Sequence, residues 1–181
     1  SSSTLGVGAS ARDRSYPAQL EALLRAAHPG RNVEVVNRGV GGETVAANLA
    51  RLDRDVLALA PDLVIWQVGT NDALRGVPLD AVRADLLTGL RRMRASGADI
   101  VLLGPQPVLD PAGEAALRRM EAVLIDVAQA AGITLLPRHA LMRHWVASGQ
   151  FTAQNLLGPD GLHMTDASYR CLAVRIADLF Q

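Results

Sequence analysis

The run Leu63-Val64-Ile65-Trp66-Gln67-Val68 constrains the fold more than any other part of this chain. It is short and rich in β-branched and aromatic residues, and it lacks the alternation of a strand with one wet face. Such a segment reads as a strand covered on both faces and central in its sheet. The rest of the chain supplies the cover. Leu49, Leu52, Val56 and Leu59 recur at helix spacing within residues 45–59. Further helical patterns run over residues 15–27, 79–95, 111–130 and 166–179. Ser15 is a candidate cap for the first of these, with Pro17 in its opening turn. Short apolar strands at 33–36, 100–103 and 133–136 alternate with the helices. That alternation implies a parallel sheet between helical layers, a three-layer α/β/α fold in one domain over residues 1–181.

In folds of this kind the ligand sits outside the carboxyl ends of the strands. Asn37-Arg38-Gly39-Val40-Gly41-Gly42-Glu43-Thr44 and Gly69-Thr70-Asn71-Asp72 both follow strands directly, so both lie on that edge. Asp160-Gly161-Leu162-His163 falls between the last strand and the last helix and can lie there too. A carboxylate three residues before a histidine lets one turn of chain bring Asp160 against the imidazole of His163. The acid then fixes the ring's tautomer, and the other nitrogen can face a hydroxyl nucleophile. Ser1-Ser2-Ser3-Thr4-Leu5-Gly6-Val7-Gly8, at the other end, supplies hydroxyls.

Composition removes several other chemistries. Eighteen basic residues balance eighteen acidic ones, so no net field recruits nucleic acid or an anionic membrane. Every one of those basic residues is arginine, which excludes Walker-type phosphate loops, Schiff bases and Ser-Lys dyads together. Cys171 is the only cysteine, on an apolar pattern that marks it as a buried spectator. His139 and His144 are five apart and share no helix face, and there is no His-Glu-x-x-His, so we expect neither a metal nor any other cofactor. The chain has no apolar run of transmembrane length. Compartment and oligomeric state stay open.

These blocks, in this order, resemble an SGNH hydrolase, the superfamily that includes the GDSL esterases and lipases. The resemblance covers nearly the whole chain and implies a parallel, flavodoxin-like sheet. The family's first block reads Gly-Asp-Ser-x-Thr-x-Gly. It places Ser2 as nucleophile, with Thr4 and Gly6 in their usual positions, Ser1 where aspartate is common, and Ser3 as the runner-up. Its second block, Asn-x-Gly-x-x-Gly-x-Thr, puts an oxyanion-binding backbone N–H on Gly42. A glycine there keeps a Cβ from standing between amide and substrate. Its third block assigns the side-chain amide of Asn71 to the same oxyanion hole, together with the N–H of Ser2. Asp72 is expected to hold its loop by accepting backbone N–H bonds. The fourth block makes His163 the base and Asp160 its orienting acid. A serine esterase acting on small acetyl or short-chain esters through an acyl-enzyme follows from the resemblance.

Other readings compete. Gly6-Val7-Gly8-Ala9-Ser10-Ala11 matches a dinucleotide-binding Gly-x-Gly-x-x-Ala, but no apolar strand precedes it. Acyl transfer to an alcohol instead of water would use the same triad. A non-catalytic member of the fold that binds a glycan or a partner would have no need of the Asp160/His163 pair. Trp66 is expected in the core, and Trp145 and His144 in surface packing just before the Asp160–His163 loop, with the wall of an acyl or alcohol pocket as the alternative. His28, before Pro29, is expected at a helix C-terminus. Finally, a serine presented over a sheet edge needs a strand beneath it, and none precedes Ser1. We therefore expect an apolar segment of about five to seven residues, ending in glycine, upstream of Ser1.

Overall fold

The computed structural model describes residues 1–180. The architecture is α/β, an open parallel sheet flanked by helices. The chain divides into two compact units, one made of Ser1–Gly41 with Val146–Gln181 and the other of Gly42–Trp145.

The second unit holds the sheet. Its strands β1 (Leu63–Gln67), β2 (Asp99–Leu103) and β3 (Thr134–Leu136) are all parallel and lie in the order β1-β2-β3. The register sets Trp66 beside Leu102 and Leu102 beside Leu135, one apolar row across one face. Helices α3 (Val45–Asp55), α4 (Thr70–Leu74), α5 (Leu79–Ala95) and α6 (Pro111–Ala131) complete this unit, together with most of α7 (Arg138–Ala147). Leu52, Leu86, Leu90, Leu117, Met120 and Leu124 from three of these helices join that row in a single buried cluster.

Local chemistry sets the helix ends. Thr44 Oγ1 accepts the N–H of Ala47 at 3.3 Å and starts α3. Asp110 accepts the N–H of Gly113 at 2.7 Å, with Pro111 in the first turn of α6.

The first unit is helical, with α1 (Ser2–Leu5), α2 (Tyr16–Ala27), α8 (Ala153–Leu156) and α9 (Asp166–Ala177). Helix α2 packs on α9, where the rings of Tyr16 and Tyr169 lie 6.4 Å apart, tilted by 34°. Thr165 and Ser168 form a reciprocal capping box at the start of α9. His28 is the C-cap of α2, as expected.

Four expectations need correction. Residues 33–36 are not a strand: Val35 N–H donates to the Glu21 carboxylate at 2.7 Å, and Val33 C=O accepts from Arg25 Nε at 2.8 Å. Side chains of α2 take the backbone bonds that a ladder would need. Second, β1 is an edge strand of the described sheet, although Trp66 is only 7% exposed. An apolar run reports cover on the faces, not pairing on both edges. Third, Trp145 is 1% exposed, so it is core and not surface packing. Fourth, Cys171 is half-buried and accepts a hydrogen bond from Gln150 Nε2 at 3.5 Å.

Two outcomes follow for stability. A Cβ at Gly89 would stand 2.4 Å from the tip of the Trp66 ring and 2.9 Å from Leu49 Cδ2. The ring is held by Nε1–H donating to Asn48 Oδ1 at 3.0 Å. Gly89→Ala therefore loses about 1–3 kcal/mol to overpacking, more than alanine's helix preference of about 1 kcal/mol returns. A lower urea midpoint is expected, and an unchanged one would show that the ring yields freely.

His139, 2% exposed, lies 2.9 Å from Glu114 and 3.5 Å from Glu121. Burial opposes its charge, but the bonds to Glu121 and Glu114 raise its pKa above the ordinary 6.5. With the folded value raised, this stabilisation is full below pH 6.5 and disappears as pH rises through the folded value. Unfolding midpoints are expected to decline over that window in the native chain and to stay flat in His139→Gln.

Candidate active site

The first block folds as a single tight helical turn. Ser1 caps α1, its Oγ accepting the N–H of Thr4 at 3.2 Å, and Gly6 ends the turn in the left-handed region at φ 99°. Thr4 anchors the turn. Its hydroxyl bonds the Tyr16 hydroxyl at 2.8 Å and Ser1 Oγ at 3.2 Å, while its carbonyl accepts from Asn37 Nδ2 at 2.6 Å. Asn37 Oδ1 also accepts the N–H of Gly39 at 2.8 Å. Through these two bonds of Asn37 the second block lies so close against α1 that a Cβ on Gly39 would stand 2.4 Å from Leu5 N.

In the turn so held, Ser2 Oγ lies 3.0 Å from His163 Nε2. His163 Nδ1 lies 2.6 Å from Asp160 Oδ2, and Asp160 Oδ1 accepts the N–H groups of Leu162 and His163 at 3.0 and 2.9 Å. The bond from the imidazole, then those from the two backbone N–H groups, hold the Asp160 carboxyl down at about 2. It is therefore an anion at neutral pH, and a carboxylate on Nδ1 leaves Nε2 as the nitrogen facing the serine. Ser3, the other candidate, is 1% exposed, and its hydroxyl has no hydrogen-bond partner among the described residues. Hydroxyl, imidazole and carboxylate thus form one hydrogen-bonded chain within the first unit. Chemically, that chain can remove a proton from Ser2 Oγ and hold the resulting imidazolium.

Gly42 and Asn71 belong to the second unit. Gly42 has φ 76°, a left-handed turn position that favours glycine. Asn71, at the start of α4, donates from Nδ2 to the Glu43 carbonyl at 2.9 Å. Asp72 accepts the N–H of Val45 at 3.0 Å, the loop-holding role expected of it. Burial, partly offset by that bond, raises the Asp72 pKa. The structure thus draws Asn71, Asp72 and the Gly42-Glu43-Thr44 turn into one backbone-bonded assembly.

Sequence reasoning missed the supports. Nothing in the pattern marks Tyr16 as the partner of Thr4, nor Tyr169, whose hydroxyl donates to Val7 C=O at 2.6 Å. Neither did it find Ser10, which donates to Asp166 through both N–H and hydroxyl. The positions of Thr4 and Asn37 in their blocks were visible, but their partners lie far away in sequence. The buried pair Arg138 and Gln106, with Gln106 accepting from Thr70 Oγ1 at 3.1 Å, gave no signal either. Among the described residues, no group of three or more His, Cys, Asp or Glu is placed to hold a metal ion.

Gly39→Ala should push the second block away from α1, since the two nearest neighbours are backbone atoms of Leu5 and Thr4. A loss of about 1–3 kcal/mol is expected, with a displaced Ser2. Thermal unfolding, with reactivity toward a serine-directed organophosphorus probe, reads both effects. Wild-type values in both would show that the close approach is not required.

An arylesterase of Vibrio mimicus is 35% identical to this chain over 92 residues, 50% of this chain and 44% of the relative. Esterase TesA of Pseudomonas aeruginosa is 38% identical over 82 residues, 45% of this chain and 41% of the relative. The matched stretch thus spans less than half the length of either relative. Among solved structures, an acetylxylan esterase from Geobacillus stearothermophilus superposes with a TM-score of 0.80 at 26% identity, covering 90% of this chain and 79% of its own. Catalytic mutants of that esterase carry alanine for a serine, for a histidine, and for an aspartate three positions before that histidine. The sequence model of the Non-GDSL lipase-like family matches residues 1–180, and the chain belongs to that family.

Proposed function

We propose that this chain is a carboxylic ester hydrolase in which Ser2 is the nucleophile, His163 the general base and acid, and Asp160 its orienting carboxylate. One observation carries the reading, the run of bonds from Ser2 Oγ to His163 Nε2 at 3.0 Å and from His163 Nδ1 to Asp160 at 2.6 Å. The residue types and the aspartate-to-histidine spacing in the catalytic mutants of the acetylxylan esterase support it. His163 takes the Ser2 proton as Oγ attacks the ester carbonyl. It returns that proton to the departing alcohol, and water then repeats the sequence on the acyl-enzyme.

The oxyanion that forms in each half needs donors, and we assign these to the N–H groups of Ser2 and Gly42 and to Asn71 Nδ2. A carboxamide keeps two N–H bonds. With one given to the Glu43 carbonyl, the other remains for the oxyanion. We assign small esters, acetyl or short-chain, as the substrates, a reading that the similarity to an acetylxylan esterase supports on the acetyl side.

Hydrolysis of nitrophenyl acetate and its longer-chain homologues tests both assignments. Ser2→Ala is expected to abolish turnover and organophosphate labelling with the fold intact. Asn71→Ala is expected to lower kcat about 10²–10³-fold with little change in KM, because its donor acts mainly in the transition state. Loss of labelling in Ser3→Ala, with labelling kept in Ser2→Ala, would move the nucleophile by one residue.

A further inference from the structure

The turn carrying Gly42 and Glu43 is tied to α3 by side chains that the proposed chemistry does not use. The Glu43 carboxylate receives Arg51 Nε at 2.9 Å on both oxygens, Arg51 Nη2 at 2.7 Å and Asn48 Nδ2 at 2.8 Å. Arg51 is itself steadied by Asp55 at 3.2 Å, one helical turn on. Asn48 is steadied by the indole N–H of Trp66 at 3.0 Å, in β1. Arg51 and Glu43 side chains are each only 15% exposed, so the pair is sheltered from the screening that weakens surface ion pairs. The same Glu43 presents its carbonyl to Asn71 Nδ2 at 2.9 Å. One residue is therefore clamped through its carboxylate while its main chain aims the carboxamide.

We infer that Arg51 is a positioning residue for the oxyanion hole, holding Glu43 so that its carbonyl orients the Asn71 amide. The inference rests on the assignment of Asn71 as an oxyanion donor. Geometry of this kind matters because donor placement is steep in its effect. A misplacement of about 1 Å can cost about a hundredfold in rate. A bidentate guanidinium is suited to the task, since its planar fork fixes the carboxylate in direction as well as distance. Lysine could supply the charge but not the plane.

The test is a double-mutant cycle on kcat for nitrophenyl acetate hydrolysis. Arg51→Met should lower kcat about tenfold to a hundredfold with KM nearly unchanged, and Arg51→Lys should recover only part of it. In an Asn71→Ala background, Arg51→Met should cost less than about threefold, because the group it positions is gone. A merely structural arginine would instead give additive losses and lower the unfolding midpoint in step with activity. Glu43→Gln, which keeps shape and one acceptor oxygen, provides the second arm if Arg51→Met does not fold; a loss of kcat that vanishes in the Asn71→Ala background is again expected. Full additivity in either arm, or unchanged kcat in Arg51→Met, overturns the inference. Unchanged kcat in Asn71→Ala alone overturns instead the oxyanion assignment on which it rests.

Discussion

The Ser2 turn of the first unit depends on the hydrogen bonds of Thr4. A four-residue helix has little stability of its own, since it closes barely one turn. It persists because Thr4 links it outward through its hydroxyl to Tyr16 and through its carbonyl to Asn37, while the same hydroxyl meets the capping Ser1. Each tie fixes a different direction, so Ser2 is presented by a surface-lying turn that nonetheless has a defined orientation. Tyr16 in turn lies against Tyr169 on α9, so α1 inherits the rigidity of the α2–α9 pair. The serine's position is thus a property of helix packing, expressed through one threonine.

The second unit uses the opposite strategy. Its polar groups work from within, under the helices that cover the Trp66–Leu102–Leu135 row. Asp72 takes the N–H of Val45, Gln106 takes the hydroxyl of Thr70, and Arg138 is wholly buried against Gln106 and the Gly104 carbonyl. Asn71 sits between two residues that are each anchored in this way. Buried networks of this type are costly when half-made and rigid when complete. They place a carboxamide more reliably than an exposed loop would.

Much of this was legible in sequence because it is local or periodic. Helix α5 was read at its true ends, Leu79–Ala95, and β2 and β3 within a residue, since apolar spacing reports burial directly. The Asp160–His163 pair was legible because its geometry is contained in four consecutive residues. What sequence could not supply was pairing across distance. Residues 33–36 carry the valines of a short strand, yet Glu21 and Arg25 satisfy backbone groups there from a helix. Likewise, Arg51 looks like any charged residue on an amphipathic helix until the fold shows Glu43 beneath it.

Asp160 and His163 travel on one turn of chain, and Asp160 accepts that turn's own N–H groups as well as the imidazole. Imidazole and carboxylate are therefore a single rigid body. A breathing motion of this segment leaves their mutual distance alone and changes only the gap to Ser2. Where acid and base sit on separate elements, two distances must be right at once, and the chance of a productive arrangement is a product of two probabilities. Here it reduces to one coordinate, the 3.0 Å separation between Nε2 and Oγ. Whatever stiffens or loosens that one segment would tune the reactivity of the serine by itself.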